Sequence, residues 1–169
     1  MSASDSAPQV PAAERPEGFR RVADALAARG HPHAPLYLDA SARTAQEAAD
    51  ALGVVVGQIA KSIVFRRQSD DAAVLVVTSG DRRVDEAKVA ARVGPLRRAD
   101  PAFVKAATSF TIGGVAPIGH VTAPVMLIDR ELFRFDVIWA AAGHPNGVFK
   151  LTPQQLAELT GAPVEDVTP

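Results

Sequence analysis

Lys61 is the charged residue least expected where it stands. It follows Ile59-Ala60 and precedes Ser62-Ile63-Val64-Phe65, at the head of what reads as a buried strand. An ammonium there either snorkels to solvent or serves a polar cavity. In a cavity it can hold a phosphate or carboxyl oxygen as a point charge, and Schiff-base chemistry is a further use of such an amine. The second candidate is main chain. Residues 111–120, Thr-Ile-Gly-Gly-Val-Ala-Pro-Ile-Gly-His, hold three glycines and one proline, too many for a helix or a regular strand. Gly113, Gly114 and Gly119 let the backbone approach a ligand with no Cβ in the way. Pro117 sets the course of the loop, and with Ile112, Val115 and Ile118 between the glycines the loop is expected to lie against the core. Such a loop can aim N–H groups at a carbonyl or phosphate oxygen; the plain alternative is a tight structural turn. Two histidines complete the set. His120 closes the loop and His144 sits in the turn Gly143-His144-Pro145-Asn146. Either can bind substrate or carry a proton, or be an ordinary loop histidine. His31 and His33 have no further ligand close in sequence, so a metal site there is set aside. Asp129 and Asp136 flank a turn and read as structural.

These residues need a scaffold, and the composition bounds it. The chain has 169 residues, 47% hydrophobic and 22% charged, enough for one domain with a substantial core. Cysteine is absent, which excludes disulfides, thiol nucleophiles and Cys-type zinc sites. No apolar run is long enough to span a membrane, and residues 1–15 lack the pattern of a secretory signal, so a cytoplasmic location is expected. The formal net charge of −1 argues against a non-specific nucleic-acid binder. The charge is uneven, though. Residues 61–105 carry ten basic and six acidic side chains, a modest basic stretch that either contacts a few phosphates or is a solvated face. There is no Ser–His–Asp arrangement, no Gly-Lys-Ser/Thr phosphate loop and no dinucleotide fingerprint.

Residues 1–15, rich in Ser, Ala and Pro, read as a disordered tail, and residues 16–169 as a single domain. Helices are expected over 16–29, over 44–52 behind the capping box of Thr44 and Glu47, over 85–93 with Ala87, Val89 and Ala90 inward, over 100–107 with Asp100 as N-cap and Pro101 at N1, and over 153–160. Strands are expected over 36–38, from Ser62 to the Arg66-Arg67 pair, and over 73–78, 96–99, 125–129, 137–141, 147–151 and 164–167. Residues 131–133 read as a turn. Strands and helices mix without a βαβ rhythm, and several strand pairs are close enough for hairpins. The fold class is therefore α+β: a mixed, mostly antiparallel sheet or partial barrel with helices packed around it.

Lys61-Ser62-Ile63-Val64-Phe65, then Lys88-Val89-Ala90, then the 113–120 loop, then Gly143-His144-Pro145 before Leu151-Thr152-Pro153 follow one another in an order that resembles the YbaK/EbsC family. Its members are free-standing relatives of the editing domain of bacterial prolyl-tRNA synthetases. The resemblance covers about residues 16–167. It implies a curved, barrel-like sheet and hydrolysis of the ester that joins a wrong, small amino acid (Ala, Ser, Thr or Cys) to the 3′ end of tRNA. Pockets separate small side chains by only about 1–3 kcal/mol per methylene, so a second, hydrolytic sieve is useful. By the resemblance Lys61 holds the terminal phosphate or the ester region. Gly113 and Gly114 complete the catalytic set, with backbone groups that polarise the ester carbonyl. Val115, Ala116, Pro117, Gly119, His120, Gly143 and His144 form the substrate-binding walls; His120 stands where other branches often carry Gln or Leu. No metal and no cofactor are implied. The partner is mischarged tRNA, with a synthetase as a further source of tRNA affinity. The competing expectation is a module that captures the aminoacyl-tRNA end, or a partner protein, in the same cavity without hydrolysis.

Overall fold

The computed structural model describes residues 14–169, so the expected tail lies outside the described residues except for Glu14 and Arg15. Helix α1 (Glu17–Ala28) buries Phe19, Val22 and Leu26 along one stripe, the face its spacing predicts. Strand β1 (Leu36–Tyr37) follows, then α2 (Ala45–Leu52), opened by the reciprocal Thr44–Glu47 capping box and closed by Gly53 at φ 68°. A short 3-10 turn (Val56–Gln58) feeds β2 (Ile59–Arg67), which hairpins into β3 (Ala73–Ser79). Next come α3 (Glu86–Val93), β4 (Leu96–Arg98), α4 (Pro101–Thr108), β5 (Val125–Asp129), a 3-10 helix (Arg130–Arg134), β6 (Ile138–Ala141), β7 (Gly147–Leu151), α5 (Pro153–Thr160) and β8 (Val164–Glu165).

The strands form one mixed sheet in the order β1-β7-β6-β2-β3-β5-β8, with β4 added beside β2. The β1–β7, β2–β3, β2–β4 and β6–β7 pairs are antiparallel; β2–β6, β3–β5 and β5–β8 are parallel. This is the α+β, mostly antiparallel architecture expected from the sequence. Strand β3 lies inside it and is covered on both faces. Leu75 and Val77 pack with α1, β7 and α5 residues such as Leu26, Phe149 and Leu156, while Val74 and Val76 pack with Val89 of α3, Leu127 and Val167. A strand buried on both faces reads as a continuous apolar run, as 73–77 does.

Five local expectations change. Ile112, expected against the core, is exposed, and Val115 and Ile118 alone of the three are buried. Strand β2 begins at Ile59 rather than Ser62, so Lys61 is its third residue. From Lys61 onward it is only half-buried, because part of one edge has no neighbouring strand. Residues 131–133 belong to the 3-10 helix Arg130–Arg134, which Asp129 caps by accepting the Glu131 N–H. Ala87 is exposed and Val89 is the buried residue of α3; with Lys88 held by Asp166 and the Thr168 carbonyl, the helix is rotated about Val89. Strand β8 stops at Glu165, after which Val167 turns inward and its carbonyl accepts the Asp85 N–H.

Candidate active site

The site begins with an interruption in the sheet. β3 pairs with β2 continuously, from Ala60↔Ser79 to Arg66↔Ala73. The opposite edge of β2 is divided: β6 takes Ile59 and Ala60, β4 takes residues 65–67, and residues 61–64 have no strand beside them. At the hairpin, Arg67 turns its N–H to the Ala72 carbonyl and accepts the Asp71 N–H, both on the β3 side. Along an antiparallel pair these directions alternate residue by residue. The N–H and C=O of Ser62 therefore face the open edge.

A cavity of about 260 Å³ fills this gap. It is lined by Lys61, Ser62 and Ile63 of β2, Trp139 and Ala140 of β6, Ala45 and Ala48 of α2, and Ile112, Gly113 and Val115 of the glycine loop. A second hollow of about 200 Å³ adjoins it, lined by Val64, Ala99 and Val104 and sharing Ser62, Ile63, Ile112, Gly113 and Val115 with the first. Lys61 is half-buried, and its ammonium has no hydrogen-bond or ion-pair partner among the described residues. Burial lowers its pKa below the ordinary lysine value, the Arg83 guanidinium lowers it further, and Asp81 acts in the opposite direction. Asp81 is itself engaged by Arg134 at 2.8 Å and is held below the usual carboxylate range by that bond. Lys61 thus faces the cavity as a cation without a dedicated counterion.

The glycine loop is tied down from two sides. Arg21 of α1 donates to the carbonyls of Gly119 at 2.7 Å and Ser109 at 3.2 Å, and its guanidinium lies over the Phe110 ring. On the other side the loop touches the 143–146 turn. A Cβ on Gly114 would stand 2.7 Å from the Cα and carbonyl carbon of His144. Gly113 has φ 91°, in the region that favours glycine, and packs against the Arg43 side chain. Gly143, at φ 83°, meets the backbone of Gly18 closely enough that neither position leaves room for a side chain.

Of the residues singled out in the sequence, Lys61, Gly113 and Val115 line the cavity. Gly114, Ala116, Pro117 and Gly143 are buried behind it, and Gly119 lies against Val22 of α1. His144 stands beside the glycine loop. Its Nδ1 accepts the Asn146 N–H at 3.1 Å, its ring lies against Tyr37 at 5.2 Å between centroids, and burial and then Arg43 lower its pKa. His120 points into the structure. Its Nε2 bonds the Ala116 carbonyl at 2.7 Å, so that nitrogen carries the proton, and its ring meets Phe110 edge-on. Its Nδ1 is enclosed without a partner, and burial holds its pKa below 6.5.

That arrangement gives a pH prediction. The folded protein binds a proton at His120 less readily than the unfolded chain does, so stability is full above about pH 6.5 and falls as pH drops through the lowered folded value. Thermal melting between about pH 7 and pH 5 is expected to show a steeper fall in Tm for the unmodified protein than for His120→Gln, which keeps a donor for Ala116 and does not titrate. Equal slopes would remove His120 from this role.

Three lining residues carried no signal in the sequence. Arg43 precedes a capping box and looks like a surface arginine, yet it lines the cavity and packs on Gly113. Trp139 and Ser62 sit in strands whose neighbours cannot be read from a single chain. Among the described residues no helix is long and apolar enough to cross a membrane, and no cluster of metal-ligating side chains is present.

Comparison with known proteins identifies the family and the fold. The aminoacyl-tRNA editing domain family matches residues 39–159, a span that includes β2, the loop and the 143–146 turn. YwhH of Bacillus subtilis (strain 168), an uncharacterised protein, is 35% identical over 123 residues, covering 72% of this chain and 78% of that one. A crystal structure described as a candidate trans-editing enzyme for prolyl tRNA synthetase is 43% identical, with a TM-score of 0.85 over 92% of this chain and 99% of that one. The hypothetical protein APE2540 is 30% identical, with a TM-score of 0.82 over 88% and 99% of the respective chains. Sequence match and superposed fold coincide on the same elements, and on that basis this chain belongs to the aminoacyl-tRNA editing domain family.

Proposed function

We propose that the protein is a trans-acting aminoacyl-tRNA deacylase that hydrolyses tRNA mischarged with a small amino acid. The observation that carries this reading is the half-buried Lys61 ammonium, unpartnered among the described residues, in a cavity that Gly113 also lines. A cation kept without a counterion in such a place is destabilising unless a ligand supplies the anion. The phosphate of the terminal adenosine is that anion. Lys61 stays protonated and positions it as a point charge, and the alanine walls leave room for the sugar and the acyl group.

In the reaction, water adds to the ester carbonyl carbon and the carbonyl oxygen becomes an oxyanion. The Gly113 N–H, with the Ser62 N–H at the open edge, stabilises that charge because both are fixed before the reaction begins; the Gly114 N–H is taken by the Thr111 carbonyl at 3.0 Å and holds the bend. The intermediate collapses, the bond from the acyl carbon to the ribose oxygen breaks, and that oxygen takes a proton as free amino acid and uncharged tRNA leave. The neighbouring ribose hydroxyl orients the attacking water, so the chain need not supply a carboxylate base. Val115 shapes the acyl end, while Ala116, Pro117, Gly119, Gly143 and His144 keep the loop and its facing turn in register. His120 acts through the loop rather than on the substrate. With a net charge of −1, most tRNA affinity comes from a partner, an aminoacyl-tRNA synthetase.

The test mixes purified protein with Ala-, Ser- and Thr-charged tRNA and follows the ester. Accelerated loss of at least one ester over the buffer rate supports the proposal. Binding without ester loss would replace it with a capture module using the same cavity.

A further inference from the structure

Ser62 stands out for a reason unconnected with the catalytic lysine. Its hydroxyl is shut off from solvent and has no hydrogen-bond partner. Enclosed hydroxyls are ordinarily satisfied, and leaving one unpaired is costly. Alternation along β2 puts the Ser62 side chain on the same face as Val64 and opposite to Lys61. That face opens on the second hollow, whose other walls, Val64, Ala99, Val104, Ile112 and Val115, are apolar. The hollow shares Gly113 and Ser62 with the Lys61 cavity, so the two meet at the open edge of β2. Because residues 61–64 have no partner strand, the edge of β2 at Ser62 is open between the two hollows.

We infer that the second hollow receives the side chain of the aminoacyl group, and that the Ser62 hydroxyl selects for a hydroxyl-bearing side chain, seryl or threonyl, over alanyl. This rests on the proposed deacylase reading and adds to it the residue that sets substrate choice. With Lys61 and the terminal phosphate in the first cavity, an acyl group attached at the ribose reaches the junction at Gly113. Ser62 is the one residue with a polar side chain in the wall of the second hollow; a substrate hydroxyl entering it is bonded once the Ser62 hydroxyl, which has no partner to hold it, rotates about χ1 toward the hollow. An alanyl methyl leaves the Ser62 hydroxyl unpaired. Sites built around a hydrogen bond discriminate strongly against analogues that lack the group, whereas apolar walls discriminate weakly. A threonyl group, with one methyl and one hydroxyl, matches an apolar hollow with a single hydroxyl in its wall.

The experiment compares kcat/KM for Ser-, Thr- and Ala-charged forms of one tRNA, with the unmodified protein, Ser62→Ala and Ser62→Thr. The unmodified protein is expected to prefer the seryl and threonyl esters over the alanyl ester by about 10-fold or more. In Ser62→Ala the seryl-to-alanyl ratio is expected to fall by about 10-fold, and Ser62→Thr, which keeps the hydroxyl, is expected to retain it. A purely structural role would lower all three rates together and leave the ratio where it was. An unmodified protein that prefers the alanyl ester, or a ratio unmoved in Ser62→Ala, overturns the selector while the deacylase reading stands. Absence of turnover on all three esters removes both.

Discussion

Lys61→Ala is expected to lower kcat/KM for deacylation by about 100-fold or more, the scale on which a fixed electrostatic contact is lost, with the fold intact. The side chain makes no hydrogen bond or ion pair whose loss would unfold the protein. Its removal even relieves a penalty. The pKa of Lys61 is lowered in the folded state, so the charged form is disfavoured by folding. That penalty is fully present below the lowered folded pKa and fades as pH rises toward the unfolded value of 10.5. Lys61→Met, which keeps the aliphatic stem, is therefore expected to melt at or above the temperature of the unmodified protein at neutral pH. The difference should shrink in alkaline solution. Loss of activity with unchanged or raised Tm identifies a residue retained for its ligand at some expense of stability. Full turnover by Lys61→Ala on the best substrate would remove Lys61 from the site, and a large drop in Tm would mean that the side chain is structural after all.

Gly114→Val is expected to damage stability and turnover together. Gly114 does not line the cavity. A side chain there meets the main chain of His144, starting with a Cβ 2.7 Å from backbone atoms that cannot rotate away. The loop and the 143–146 turn must separate, at a cost of about 1–3 kcal/mol for overpacking. For a chain of this size that corresponds to a fall in Tm of roughly 2–10 °C. Gly113, next in sequence, is carried out of the cavity lining, and turnover falls about 100-fold through misplacement of its amide. Thermal melting and single-turnover deacylation measure the two effects separately. A variant with normal Tm and normal turnover would show that the close contact between loop and turn is dispensable.

How much of this could be read from the chain depends on how far apart the interacting groups are in sequence. Local rules placed the helices. Thr44 with Glu47, Asp100 with Pro101, and Thr152 with Pro153 mark N-termini because capping is settled within four residues. The continuous apolar run at 73–77 marked a central strand for a similar reason: burial on both faces leaves no alternation to read. Lys61 and the 113–120 loop could be picked out by type, since an ammonium among apolar residues and a bend rich in glycine each need a special environment. The start of β2 was misplaced because Ile59 and Ala60 join the sheet through a parallel pairing with β6, some eighty positions away. The inward turn of Ala87 was misjudged because the rotation of α3 is set by Asp166 and Thr168 near the far end of the chain. Gly114 belongs to the catalytic set by the resemblance, yet it does not line the cavity and packs on the backbone of His144.

The order of residues by itself determined which segments are helix and strand, that the sheet is mixed, and which side chain and which loop are chemically unusual. These follow from short-range sterics, capping and burial periodicity, all of which act within a few residues. Only the tertiary structure decided that Lys61 and Gly113 face one cavity, that Arg43, Trp139 and Ser62 join them there, and that His120 turns away. The reason is that the cavity is the missing segment between β6 and β4 along one edge of β2. A gap of that kind arises from where other strands end, and no residue within it encodes its own missing neighbour.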